Sequence, residues 1–353
     1  MVSVCWTKLD QSPDPKHGVP CTRSSHGVSL VNNGTRLVVY GGETVARTPL
    51  GPLESTWVAD CVVHDTAAVW QWKLVQQPTL SPPLRVGHAQ ASLVEGDGDI
   101  VYIFGGRMGI EMGESALNDL WKFHHTTETW TQITEFQGSP PEARSFHRMI
   151  AVGTDLYVFG GCGAKGRLAD LHRFDTLTQT WQDLGASQLL RGRGGANLFH
   201  INDSSLAVIA GFAGEETSDG HFFVLSNGGG SWKKSLVDEV LLQDLRPRSV
   251  CVSGTLPELD IAFMFGGEVD PSEKGHEGAG GFENDLVVLD RQTGAVCQTI
   301  QAPENDNPWP EARGWSDGAV GPNNSLYVFG GLAGNDDSPS RLNDFWRCDF
   351  VKP

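Results

Sequence analysis

The chain has 353 residues, 43 of them acidic and 26 basic, for a formal net charge of −17. Such a balance excludes broad contact with nucleic-acid backbones or anionic membranes, and no apolar run is long enough to cross a bilayer. With 39% hydrophobic residues, 43 Gly and 19 Pro, it holds a substantial core cut by many turns: two ordinary domains or one large β architecture.

In chain order, Met1 to Asp10 contains no apolar signal-like region. Val4–Leu9 reads as a strand carrying Trp6. Six times thereafter an apolar run is closed by a Gly-Gly pair or its equivalent: Val38–Gly42, Tyr102–Gly106, Tyr157–Gly161, Val208–Phe212, Phe263–Gly267 and Tyr327–Gly331. The copies recur at roughly 50 to 64 residues, a period that marks a repeat architecture. Before each pair stands an arginine: Arg23, Arg85, Arg144, Arg193, Arg248 and Arg313. In the first three copies a histidine follows the arginine by three residues, at His26, His88 and His147. After the glycines comes an Asp-led strand, read at Asp60, Asp119, Asp170, Asp219, Asp285 and Asp344. An outer-strand tryptophan follows at Trp70 or Trp72, Trp130, Trp181 and Trp232, whereas the fifth copy has Val296-Cys297. The sixth copy stops before its outer strand, and Trp6 supplies the missing one from the other end of the chain. Seven cysteines without CxxC spacing read as reduced thiols of a cytoplasmic protein, where the sequons at Asn33, Asn202 and Asn323 carry no meaning.

The pattern resembles the kelch family over essentially its whole length. It predicts an all-β, six-bladed kelch-type β-propeller, closed by the N-terminal strand completing the last blade; closure removes exposed edges. One such domain spans 1–353, with blades near 20–75, 82–135, 141–187, 190–238, 246–302 and 310–353 plus 1–10.

In such a blade the start of the first strand lies beside the end of the second. The six arginines and the six post-glycine residues Glu43, Arg107, Cys162, Phe212, Glu268 and Leu332 are therefore expected at one mouth, with the loops Thr44–Thr56, Met108–Leu117 and Val269–Glu283. Arg23, Arg85, Arg107, Arg144, Arg193, Arg248 and Arg313 then form an anion-binding ring for a small anionic molecule, since guanidinium offers paired planar donors. The other reading makes the arginines a packing element. His26, His88 and His147 are expected to face away from their arginines, into blade-to-blade packing. Glu268, Asp270 and His276 fall within nine residues. They read either as ligands of an octahedral divalent ion or as a solvated acidic loop.

Within the kelch proteins, Arg23–Gly27, Phe104–Arg107, Glu142–His147, Arg313–Trp315, Gly266–Glu268 and His276–Gly280 resemble the plant specifier proteins (nitrile-specifier, epithiospecifier and thiocyanate-forming). The resemblance implies a non-redox Fe(II) lyase acting on a sulfated thiohydroximate, with Arg107 and Glu268 as catalytic residues. The family's Glu-x-x-x-Asp-x-x-x-His motif is matched at Glu268 and His276 but has Ser272 in the middle, leaving Asp270 or Glu273 as substitutes. Arg107 matches one family anion-binding arginine; Arg167 and Arg173 are the nearest positions to the other. Two further functions remain open: a non-catalytic module binding a protein partner through the loop-bearing face, and a metal-free isomerase or cyclase of specialised metabolism in the same pocket. Nucleic acid and membrane are not expected partners.

Overall fold

A computed structural model describes the chain except at positions 52–53, 65–66, 77–79, 97, 110–113, 227, 235–243 and 353, with backbone alone at 64 and 276. The expected blade end at 238 and parts of the loops Thr44–Thr56 and Met108–Leu117 thus lie outside the described residues. Among the described residues no helix is long and apolar enough to cross a membrane.

Apolar runs such as Leu37–Tyr40, each residue 0% exposed, have no polar face to offer solvent. They must run through the middle of a sheet covered on both sides. Six antiparallel sheets arranged as propeller blades provide that setting. In blade 1 the strands are Gly27–Val31, Arg36–Tyr40, Thr56–His64 and Ala67–Leu74, from the central channel outward. Blades 2 to 5 repeat this order. Blade 6 takes Asp317–Gly321, Ser325–Asn335 and Ser338–Val351 from the C-terminal part. Ser3–Lys8 adds its outer strand, from Ser3 opposite Val351 to Lys8 opposite Trp346. The expected closure is therefore present. Asp10–Ser12 then continues as an unexpected fifth strand, parallel to Ala67–Leu74 of blade 1.

The tryptophans have a positional reason. In five blades one outer-strand indole packs on the aromatic ring that precedes the glycines of the preceding blade: Trp72 on Phe329 at 5.2 Å, Trp130 on Tyr40 at 4.9 Å and Trp181 on Phe104 at 5.3 Å. Trp232 meets Phe159 at 5.8 Å, and Trp6 meets Phe265 at 4.7 Å. Tilted aromatic pairs of this kind contribute about 0.5–1.5 kcal/mol beyond area burial. The blade 4–5 seam lacks both partners and instead packs the half-buried Val296 against a hydrophobic cluster that contains Ile209. The fourth copy also shifts by one residue from its sequence reading. Ala210 (φ 62°) and Gly211 (φ 113°) hold the left-handed positions of the two glycines.

Blades are also joined through backbone. The second residue after each repeat arginine has a left-handed φ: Ser25, Gly87, Phe146, Gly195, Val250 and Trp315, between 50° and 60°. Each donates its N–H to the same residue of the preceding blade, Ser25 to Trp315 (2.8 Å) and so on round to Trp315 to Val250 (3.2 Å). The result is a closed belt of six hydrogen bonds around the channel. Phe146 and Trp315 meet edge to face across it at 5.2 Å. Beneath them Arg148 of blade 3 reaches across the channel to Asp317 of blade 6 at 3.5 Å.

Candidate functional site

The post-glycine residues and the residues after the arginines meet as expected. Ser24 bridges Glu43, Val86 bridges Arg107, Ser145 bridges Cys162, Gly194 bridges Phe212, Ser249 bridges Glu268 and Gly314 bridges Leu332. This ring of paired strand ends forms the rim of one mouth. A cavity of about 280 Å³ opens there, lined by all six post-glycine residues. Its floor is apolar, made by Phe146, Val250 and Trp315 of the belt.

The six repeat arginines lie below this cavity and do not line it. Each is 0–1% exposed, and five of the six are held the same way. In blade 2, Arg85 Nε donates to Pro83 O (3.0 Å), Nη1 to Gly105 O (2.8 Å), and Nη1 and Nη2 form a fork on Asp119 (2.7 and 2.8 Å). Arg144, Arg193, Arg248 and Arg313 repeat the arrangement on Asp170, Asp219, Asp285 and Asp344. Their donors are spent on the scaffold, so the packing reading accounts for the ring expected to bind an anion. Arg23 differs. It caps Cys21 O and Gly41 O but has no carboxylate; Cys21 Sγ stands 3.3 Å from Nη2. The position that carries Asp119 in blade 2 is Ser55 in blade 1, because Gly41 N bonds Ser55 O as Gly105 N bonds Asp119 O. Asp60, expected to lead this strand, instead forks Arg36 at 2.6 and 2.7 Å.

The histidines pack between blades as expected. The rings of His26, His88 and His147 stand edge-on to Phe329, Tyr40 and Phe104 of the preceding blade. Burial pushes His26 and His147 down to about 3. Both are neutral at neutral pH.

The cavity's cations come from other arginines. Arg107 and Arg47 place their guanidinium carbons 5.0 and 5.1 Å from the Phe146 ring centroid, and Arg167 lies 4.6 Å from that of Phe212. Such stacking holds a desolvated cation at about 0.5–2 kcal/mol per contact. Arg341 completes the arc, with Nε donating to Ser24 Oγ at 3.0 Å. These four side chains come from blades 1, 2, 3 and 6. Arg173, the other position near the second family arginine, sits outside on Asp155 at 2.8 Å.

The opposite arc carries carboxyl groups. Burial pushes Glu268 up to about 7, a backbone N–H of Ser272 opposes it, and the Asp336 carboxylate adds to it. Beside it Glu216 accepts a hydrogen bond from Ser249 Oγ at 3.1 Å. Burial, and then the charge of Glu268, push Glu216 up to about 8. Glu43 is raised by burial and partly restored by Arg341. Arg47, Arg341, Phe146 and Trp315 were not singled out from the sequence as cavity residues. Only Phe146 and Trp315 carried a usable signal there, their fixed place after a repeat arginine.

The expected metal trio does not form from its described members. Glu268 and Asp270 belong to a short strand whose register against Gly281–Phe282 breaks between them. Glu268 turns into the cavity at 9% exposure, whereas the Asp270 carboxylate faces outward to Arg246 Nη2 at 3.1 Å. Ser272 Oγ donates to Asp336 of the blade 6 hairpin. The side chain of His276 lies outside the described residues. Among those described, no three His, Cys, Asp or Glu side chains gather as a metal-ligand set.

Comparison with known proteins agrees with the architecture. The KLHDC2/KLHL20/DRC7 Kelch-repeats domain matches residues 54–267. Kelch domain-containing protein 3 of Rattus norvegicus is 26% identical over 291 residues, covering 78% of this chain and 69% of that protein. N-(sulfonatooxy)prop-2-enimidothioate sulfolyase of Thlaspi arvense is 25% identical over 309 residues, covering 82% of this chain and 81% of the enzyme. Among solved structures, YjhT superposes with a TM-score of 0.65 at 17% identity, over 93% of this chain and 95% of that one, and so shares the fold. The family match over more than half the chain, on top of six blades and their closure strand, makes this protein a member of the kelch-repeat family.

Proposed function

We propose that the mouth cavity binds a small organic molecule bearing a sulfonatooxy group and promotes release of its sulfate. The carrying observation is the polarity of one 280 Å³ cavity: Arg107 and Arg167 stacked on Phe146 and Phe212 along one arc, Glu268 on the other. The N–O bond to the sulfonatooxy group breaks with its electron pair leaving on sulfate, and a bonding pair of the adjacent carbon shifts to the nitrogen to fill the vacancy. The arginines stabilise the charge that builds there, beside the apolar rings of Phe146 and Trp315. Glu268, with a carboxyl near neutrality, is suited to exchange a proton with the organic fragment. Likeness to the Thlaspi arvense sulfolyase over most of both chains supports this substrate class.

The test is release of inorganic sulfate from N-(sulfonatooxy)prop-2-enimidothioate. The expected result is a rate above the spontaneous one that falls on the order of 10²-fold in Arg107→Gln, the loss typical of removing one transition-state donor. No acceleration by the wild-type protein sinks this reading.

A second reading is favoured by the likeness to Kelch domain-containing protein 3: a module that holds a protein partner on the loop-bearing face. A partner captured by the wild type and lost when loop 44–56 or 269–283 is shortened supports it; binding that survives both deletions removes it.

A further inference from the structure

The loop Val269–Glu283, which leaves blade 5 at the mouth, is fastened in two different ways. Its stem is fixed by packing. Val269 and Ala279 are 8% and 1% exposed. Glu268 and Asp270 pair with Phe282 and Gly281, and Arg246 holds Asp270 (3.1 Å) and Glu283 from outside. The tip has no such anchor. Pro271, Glu273, Lys274, Gly275 and Glu277 are exposed, and among the described residues from 271 to 277 no apolar side chain is buried.

The tip's ties to another blade converge on Asp336, in the turn between the last two strands of blade 6. Ser272 Oγ donates to the Asp336 carboxylate, Glu273 N–H donates to its Oδ2 at 3.1 Å, and Lys274 Nζ donates to the Asp336 carbonyl at 2.5 Å. Lys274 also stands 3.6 Å from Asp337. The turn that presents Asp336 is itself closed, because Asn335 Oδ1 accepts the N–H groups of Asp337 and Ser338, both at 3.0 Å. Gly278 passes so near this contact that a Cβ there would meet Ser272 Oγ at 2.0 Å and Asp336 Oδ1 at 2.2 Å. Glycine at 278 lets the chain return beside Asp336.

The same tip is part of the cavity wall. Pro271, Ser272, Gly275 and Gly278 line the cavity, and the Ser272 N–H meets the Glu268 carboxyl. A wall segment that buries no apolar side chain, and hangs on polar contacts to one residue, opens locally at far smaller cost than the sheet behind it. We propose that residues 271–278 are a lid over the mouth cavity, latched shut by Asp336, and that the cavity admits its ligand when this latch releases. The device goes beyond the proposed activity, since it works for any class of ligand the cavity takes.

Two measurements on the full chain test it without a ligand: hydrogen–deuterium exchange resolved by peptide, and alkylation of the free thiols by N-ethylmaleimide. Cys162, half-buried on the cavity wall, reports entry to the cavity. The exposed Cys297 reports the reagent, and the buried Cys251 and Cys348 report unfolding. In Asp336→Ala, exchange across 272–278 should quicken about ten- to a hundredfold, the worth of a charge-assisted hydrogen bond. Labelling of Cys162 should rise by a similar factor, because both need the same opening, while the other three thiols keep their wild-type rates. Lys274→Ala removes one tie and spares the carboxylate, so it should raise both readings by less. Exchange across 272–278 that is unchanged in Asp336→Ala removes the latch. Faster exchange with Cys162 labelling unchanged removes the lid, since the cavity is then reached by another way. A rise at Cys162 that is matched at Cys251 and Cys348 is general unfolding and also overturns the proposal. Sulfate release plays no part in these readings, so the lid and the proposed activity stand or fall separately.

Discussion

Two sets of arginines lie a few ångströms apart in this propeller and do opposite things. Arg85, Arg144, Arg193, Arg248 and Arg313 are buried in the seam with carbonyls and a forked aspartate on their donors. Arg47, Arg107 and Arg167 instead lie against aromatic faces on the wall of the cavity, which stabilise the cation through the ring. The difference lies in what the guanidinium leans on. A carboxylate fork makes arginine part of the frame; an aromatic ring holds it on the cavity wall.

The sharpest way to break this comparison is to remove a fork. Asp285 and Arg248 are both nearly inaccessible, at 4% and 1% exposure. Asp285→Ala strands a buried cation and should cost about 3–5 kcal/mol, read from the urea midpoint at constant m-value. A loss under about 1 kcal/mol would mean the seam arginines are as loosely held as those of the cavity.

Acid should separate the two sets next. Asp119, Asp170, Asp219 and Asp344 are raised by burial, but the hydrogen bonds and charge of their arginines outweigh it and hold them below the ordinary aspartate value. A carboxyl with a lowered folded pKa gives stability that is complete above its unfolded value, about 3.9, and that is lost as pH falls through the folded value. The buried neutral histidines should begin to lower the urea midpoint as pH falls through the unfolded histidine value, about 6.5, and the aspartates should add a further loss below about pH 4, which Asp170→Asn should make shallower. An unchanged limb in the variant would show that the fork on Arg144 is not a source of acid sensitivity.

The smallest effect is expected in the cavity. Arg167→Ala removes a stacked cation with no fork and should change stability by about 1 kcal/mol or less. The same substitution should abolish or strongly weaken oxyanion binding. A loss of several kcal/mol would place Arg167 with the frame.

The sequence revealed the ring because its period, its Gly-Gly strand ends and its displaced Trp6 all follow from short-range rules. The cavity rim was legible for the same reason: a residue just after the glycines has only one place to go. The partner of each repeat arginine was harder to read. Asp119 follows Arg85 by 34 residues, across a strand, a pair of glycines and a loop. In blade 1 an aspartate that looks equivalent, Asp60, lies five residues too late, where it serves Arg36. Loop side chains were least legible. Asp270 is two residues from Glu268, a spacing that puts side chains on one face of a regular strand. The register break turns it to solvent instead. Arg47 belongs to no repeat position, so nothing in the periodicity marks it.

The belt of backbone hydrogen bonds and the outer strand of blade 6 have a consequence for how the protein is made. Ser3–Lys8 is synthesised more than 300 residues before its partner, Ser338–Val351. Ser25 likewise waits for the carbonyl of Trp315. During synthesis the early blades therefore stand with an unpaired edge, and the ring can close only after Ser338–Val351 has emerged. Pairings of such long sequence separation are entropically slow to form. Closure thus falls at the end of folding, when a single docking event joins both ends of the chain and seals the sixth seam.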